Sequence, residues 1–163
     1  MKSKCYIGVI GQSSCDEKLY QMAYEVGKEI ARRGAVLVCG GLGGVMEAAC
    51  RGAKDANGVT VGILPGFSVV DANPFVDIAV ATGLGEARNL IIVHTASALV
   101  ACGGQAGTLS EIAFALRAGK ILAGLATWRI QDNSGREDFF PHFENPREAV
   151  HFVFQNLRGC GDE

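Results

Sequence analysis

Short, continuous apolar runs alternate with segments of helical periodicity along most of the chain, and this alternation restricts the fold more than any other feature. Val36-Leu37-Val38 and Ala98-Leu99-Val100 are apolar at every position, as strands are when both faces of their sheet are covered. Between such runs, apolar residues recur every third or fourth position. Leu19, Met22, Ala23, Val26 and Ile30 share one helical face. Strand and helix taking turns at this spacing imply βαβ crossovers and a parallel sheet. The expected class is α/β: a doubly wound, mostly parallel sheet with helices on both faces. A length of 163 residues suits a single domain over 1–163.

The spacing predicts strands at Cys5 to Ile10, Val36 to Cys39, Val59 to Leu64, Ile78 to Ala81, Ala98 to Cys102 and Ile121 to Ala126. The first helix opens on a Ser14/Glu17 capping box and stops at Gly34. Further helices are expected over Val45 to Asp55, Glu86 to Thr95 and Thr108 to Ala118. Asn145-Pro146-Arg147-Glu148 opens the last one with an Asn cap, a Pro at the first position and a Glu at the third. Phe67 to Asp77 and the polar stretch Gln131 to Glu144 read as irregular, and Trp128 is expected to anchor the last strand to the final helix.

Fifteen basic and 17 acidic residues leave a net charge of −2, with no block of one sign. That balance offers no footprint for nucleic acid or an anionic membrane, and no run approaches the ~20 apolar residues of a membrane span. The six cysteines contain no C-x-x-C pair. Cys5, Cys39 and Cys102 lie in or beside apolar runs, where free cysteine acts as a small hydrophobe, so a reducing, cytoplasmic setting is expected. His94, His142 and His151 are too scattered to suggest a metal site. No cofactor is implied.

Two glycine loops follow strands and precede helices, at 40–44 and 103–107. The turn Gly11 to Ser14 forms a third edge. In parallel sheets ligands sit at the carboxyl ends of strands, where a helix amino-terminus presents free N–H groups, and glycine lets backbone approach a phosphate. Neither G-x-G-x-x-G nor G-x-x-x-x-G-K-[ST] is present, which disfavours the usual NAD and P-loop NTP sites. The loops could also serve only tight turns and close packing.

Two motifs resemble those of the LOG (LONELY GUY)-like family, also labelled lysine decarboxylases, within the DprA/Smf-related Rossmann-like superfamily. Cys39-Gly40-Gly41-Leu42-Gly43-Gly44-Val45-Met46-Glu47 is similar to its G-G-G-x-x-G-L-M-G loop, departing at Cys39 and Glu47. Cys102-Gly103-Gly104-Gln105-Ala106-Gly107-Thr108-Leu109-Ser110-Glu111 is similar to P-G-G-x-G-T-x-E-E, with Cys for Pro, one extra residue, and Ser110 for the first Glu. The extra residue and Ala87-Arg88-Asn89 resemble the short branch of molybdenum cofactor carrier-like proteins. The resemblance implies a Rossmann-like fold, a homodimer or higher homo-oligomer, and a small phosphorylated ligand, nucleotide or molybdopterin-like. Gly11, Ser13, Gly40, Gly41, Gly44, Met46, Asn89, Gly103, Gly104, Gly107 and Thr108 become the ligand-binding candidates. By the same resemblance Arg88 and Glu111 take the catalytic positions of a nucleoside 5′-monophosphate phosphoribohydrolase, which frees a base and ribose 5-phosphate. Glu111 would then stabilise an oxocarbenium-like sugar or activate water. Nothing in the sequence supports a pyridoxal-type lysine.

Plainer roles exist for both charged residues. Thr108 to Glu111 also reads as a T-x-x-E capping box, which would make Glu111 a structural cap. Arg88 could form a surface ion pair with Glu86 or Asp77.

Overall fold

A computed structural model describes residues 4–137 and 139–157. Seven strands form one sheet in the order β4-β3-β2-β1-β5-β6-β7, parallel at every pairing. The strands are β1 (Tyr6–Gly11), β2 (Val36–Cys39), β3 (Thr60–Leu64), β4 (Ile78–Ala81), β5 (Ala98–Cys102), β6 (Ile121–Leu125) and β7 (His142–Phe143). The helices are α1 (Glu17–Arg32), α2 (Val45–Asp55), α3 (Asn89–Thr95), α4 (Ala106–Arg117) and α5 (Pro146–Asn156). The fold is the expected α/β Rossmann-like one.

Alternation along each strand divides the core in two. Ile7, Val9, Leu37, Cys39, Val100 and Cys102 face the side covered by α1, α2 and α5. Ile10, Val38, Leu99, Ala101 and Leu122 face the side covered by α3 and α4. Successive strand side chains point to opposite faces, so a run apolar at every position feeds both layers. The chain winds outward from β1 to β4, then returns to lay β5 beside β1. That reversal opens a crevice at the carboxyl ends of β1 and β5.

Several local expectations are corrected. The first helix is capped by Asp16, whose carboxylate accepts the Leu19 N–H at 2.8 Å, so Ser14/Glu17 is no capping box. Helix α4 begins at Ala106 with Gln105 at its cap position, two residues before Thr108. The expected helix from Glu86 is a 3-10 turn (Gly85–Arg88) running into α3. The polar stretch conceals β7, which has no periodicity to read because it spans two residues. Trp128 donates its Nε1–H to Gln105 O at 3.3 Å and packs over Gly104, so it braces the second glycine loop. The last helix starts as expected: Asn145 accepts the Arg147 N–H at 2.9 Å, with Pro146 next to it. Cys39 and Cys102 are free and fully buried, whereas Cys5 is disulfide-bonded. No helix among the described residues is long and apolar enough to cross a membrane.

The corrected cap is testable by urea denaturation. Asp16→Ala should cost about 1 kcal/mol, while Ser14→Ala should change stability by less than about 0.5 kcal/mol.

Candidate ligand site at the switch point

The crevice between β1 and β5 deepens into a cavity of about 340 Å³. The turn after β1, the loop after β2, the segment before α3 and the start of α4 all reach it. Of the predicted residues, Gly11, Ser13, Gly40, Met46, Arg88, Asn89, Gly107, Thr108 and Glu111 line it. Gly41, Gly44, Gly103 and Gly104 do not.

The two glycine loops differ in what their backbone amides can offer. In the first, Gly41 N–H is taken by Cys39 Sγ at 3.3 Å. Val45 N–H, the first of α2, is taken by Gln12 O at 3.0 Å. The Gln12–Ser14 backbone fits against the end of α2 because Gly44 has no Cβ. A methyl there would lie 2.5 Å from Gln12 O and 2.5 Å from Ser13 C, and Gly44 sits at φ +61°. Gln12 O therefore occupies the first N–H of α2, although no side chain caps that helix. In the second loop, Gly103 N–H goes to Leu125 O at 2.9 Å and Gly104 N–H to Gln12 Oε1 at 2.9 Å. These four glycines shape turns.

The start of α4 is open to the cavity and approachable. Its first intrahelical bond runs from Leu109 N–H to Gln105 O, and no side chain caps it. The N–H groups ahead of Leu109 therefore lack intrahelical partners, and the helix dipole favours negative charge at this end. A Cβ on Gly107 would meet nothing within 4 Å, so the backbone is approachable there.

Arg88 and Glu111 supply the charge. Arg88 is 7% exposed and Glu111 6%. The early start of α4 removes the capping reading: Thr108 and Glu111 are i, i+3 neighbours on one face of an established helix, and both line the cavity. The ion-pair alternative for Arg88 fails too, because Asp77 is bound by Lys54 at 2.7 Å and Arg88 has no ion pair among the described residues. Its guanidinium rests on Gly40, where any Cβ would collide with Nη1. Arg88 Nε is buried without a hydrogen-bond partner, which in a settled core would cost about 1–3 kcal/mol.

Burial lowers the pKa of Arg88, opposed by the nearby charges of Glu111 and Cys39. Burial lifts Glu111 to about 8 although Arg88 pulls it down. Beneath them Cys39 and Cys50 are 3.4 Å apart, sulfur to sulfur. That contact holds the Cys39 thiol below its ordinary value and pushes Cys50 up.

Sequence reasoning missed Gln12, Leu42, Glu86 and Gln105, which also line the cavity. Gln105 stands inside the second motif and could have been taken with it. Gln12 acts through tertiary hydrogen bonds that leave no periodic or motif signal. No group of three or more His, Cys, Asp or Glu among the described residues could hold a metal ion.

A family model described as the SLOG cluster4 family matches residues 4–151. The chain belongs to that family. It is 49% identical over 150 residues to an uncharacterized protein of Archaeoglobus fulgidus, covering 92% of this chain and 95% of that one. Among solved structures it is similar to the molybdenum cofactor binding protein of the phototrophic bacterium Rippkaea orientalis. That match has a TM-score of 0.87 and 35% identity, over 97% of this chain and 100% of the other. It is also similar to the molybdenum cofactor carrier protein of Chlamydomonas reinhardtii, with a TM-score of 0.82 and 37% identity over 94% and 98% of the two chains.

Glu111 gives this SLOG cluster4 protein a pH signature. Below its ordinary 4.5 the carboxyl is protonated in folded and unfolded chains alike, and its contribution to stability is complete. Between 4.5 and about 8 the unfolded chain releases the proton while the folded chain keeps it, so stability falls as pH rises. The fall should be on the order of a few kcal/mol. Unfolding free energies measured across that window should converge between the wild type and Glu111→Gln at the acid end, with the wild type weaker at the alkaline end.

Proposed function

We propose that the chain binds a small organic phosphate, a nucleotide or a molybdopterin-like molecule, in the switch-point cavity. The phosphate lies against the free N–H groups at the start of α4, with Thr108 beside it and Arg88 as counter-charge. The observation that carries this reading is the uncapped, approachable α4 amino-terminus at Gly107, facing a cavity that also holds a buried guanidinium nitrogen without a partner. Anion binding at a helix start needs both features. The similarity to proteins that bind or carry molybdenum cofactor supports a ligand of that chemistry, and a cavity of about 340 Å³ fits a small-molecule site. The near-neutral net charge of −2 favours a small ligand over nucleic acid. Gly41, Gly44, Gly103 and Gly104 act in this reading by shaping the loops, not by touching the ligand.

Adenosine 5′-monophosphate is a direct probe. The melting temperature should rise with its concentration. Gly107→Asp should remove the rise while leaving the ligand-free melting temperature unchanged, because the new carboxylate has room in the structure and suits a helix start, yet stands where the phosphate would. Arg88→Lys should weaken binding about tenfold by losing the planar fork. A rise that persists in Gly107→Asp, or no rise with any phosphate ester, overturns the proposal.

One observation favours a second reading, hydrolysis of the N-glycosidic bond. Glu111 keeps its proton up to about 8 beside Arg88, the condition of a general acid. Its chemistry suits protonating a departing base better than activating water. If the chain is a phosphoribohydrolase, Glu111→Gln should cut ribose 5-phosphate release by at least about 100-fold without loss of nucleotide binding. Unchanged release in that variant would sink the mechanism.

We infer also that the chain forms a homo-oligomer through β4. This edge strand exposes Ile78 by 52% and Val80 by 42%, with Leu84 exposed nearby in sequence, and native proteins rarely leave an apolar edge bare. Val80→Lys should lower the mass measured by size-exclusion light scattering to that of one chain. A wild-type chain that already runs as a monomer refutes the inference.

A further inference from the structure

A second hollow lies at the carboxyl end of β6 and around β7, on the same rim of the sheet as the first. At about 670 Å³ it is the larger of the two, and the two share no lining residue. The chain reverses after β6 through Ala126, a non-glycine residue at φ +49°, which brings Thr127 and Arg129 to the hollow. Lys18 and Met22 reach it from α1, and His142 and Phe143 from β7.

The polar groups are weighted toward an anion. Lys18 and Arg129 carry two positive charges against the one carboxylate of Glu144. Neither cation is in an ion pair among the described residues. Thr127 Oγ1 is buried and has no hydrogen-bond partner, a cost that nothing in the fold answers. His142 is partly buried and stacks on Phe140 at 4.7 Å between ring centres. Burial first, then the charge of Arg129, hold its pKa below the ordinary value, so near neutral pH it is a neutral hydrogen-bonding group. Met22 and Phe143 provide apolar surface beside these donors, with Phe143 held in place by Phe152 at 5.5 Å. Two cations and a hydroxyl suit a group with several terminal oxygens carrying more than one charge.

We propose that this hollow is a second, separate ligand site for a small phosphate monoester, its phosphate held by Lys18 and Arg129 and its apolar body resting on Met22 and Phe143. It lies where open α/β sheets take ligands, outside the carboxyl ends of strands, but beside β6 and β7 instead of at the β1/β5 reversal. Occupancy of one site does not require the other.

The test uses phenyl phosphate in the full chain carrying Gly107→Asp, which closes the first cavity to phosphate. Histidine ring NMR signals report on the hollow, because His142 lines it and His94 and His151 do not. Phenyl phosphate should shift the His142 signals alone and saturably. Lys18→Ala and Arg129→Ala should each weaken that binding about tenfold or more, the loss of one charge-assisted contact. Both side chains are exposed, so the fold survives their truncation. Inorganic phosphate should bind more weakly than phenyl phosphate. An unmoved His142, or binding indifferent to both truncations, overturns the site, and equal affinity for inorganic phosphate overturns the role of Met22 and Phe143. A first-cavity failure appears differently, as nucleotide binding that ignores Gly107→Asp.

Discussion

Gln12 ties together the three loops from which the switch-point cavity is built. Its backbone carbonyl accepts the first N–H of α2, its side-chain oxygen accepts Gly104 N–H at 2.9 Å, and its side-chain nitrogen donates to Ser14 O at 2.9 Å. One residue after the central strand thus fixes the turn behind β1, the start of α2 and the second glycine loop. The arrangement depends on Gly44, the point where peptide meets peptide. With Val45 N–H bonded to Gln12 and the Gly103 and Gly104 amides spent inside the protein, the start of α4 is where the switch-point cavity meets approachable backbone donors. The location of the proposed site rests on hydrogen-bond accounting as much as on shape.

The same accounting separates two uses of glycine that look identical in a sequence. Both loops are glycine-rich, both join a strand to a helix, and both contain glycines at positive φ. In the first, Gly41 N–H goes to Cys39 and Val45 N–H to Gln12, and Gly40 leaves space that the Arg88 guanidinium fills. In the second, Gly103 and Gly104 N–H are bonded within the protein, and the loop delivers a helix start whose backbone is approachable at Gly107. The first loop therefore positions a charge, and the second positions a set of donors. Neither can substitute for the other, and a motif match cannot tell them apart.

The architecture was largely legible. Strands covered on both faces are apolar at every position and helices repeat at 3.6, so β2, α2 and β5 fall at the expected residues, as does the exposed edge strand β4, and the parallel sheet follows. Errors collected where one local pattern has two physical meanings. The spacing T-x-x-E describes a capping box and equally two residues on one face of a helix already under way, and at Thr108 and Glu111 the second holds. Ser14 and Glu17 fit the box, but Asp16, two residues closer to the helix than Ser14, is the cap. Gly41, Gly44, Gly103 and Gly104, ligand-binding candidates by resemblance, do not line the cavity, because sequence cannot show which loop residues face it. Gln12 and the bracing by Trp128 were invisible because they join segments some 92 and 23 residues apart.

Arg88 and Glu111 are where the fold carries an arrangement that stability alone does not explain. Burying a guanidinium and a carboxyl side by side normally yields a short ion pair, because attraction must offset the loss of hydration of both. Here the two influence each other yet form no such pair among the described residues. Glu111 meets the cost of burial by holding its proton, and Arg88 keeps its charge with Nε unanswered. A neutral acid and an unneutralised cation, facing one cavity across a bare helix start, form a site with spare positive potential and a proton available for transfer. An incoming dianion would satisfy Arg88 and the α4 amides together, and by drawing on the same field it would strengthen the hold of Glu111 on its proton. In the proposed function, binding and proton donation would be coupled through one pair of residues, so a carrier and a hydrolase could differ in what they hold against Glu111 while sharing the rest of the site.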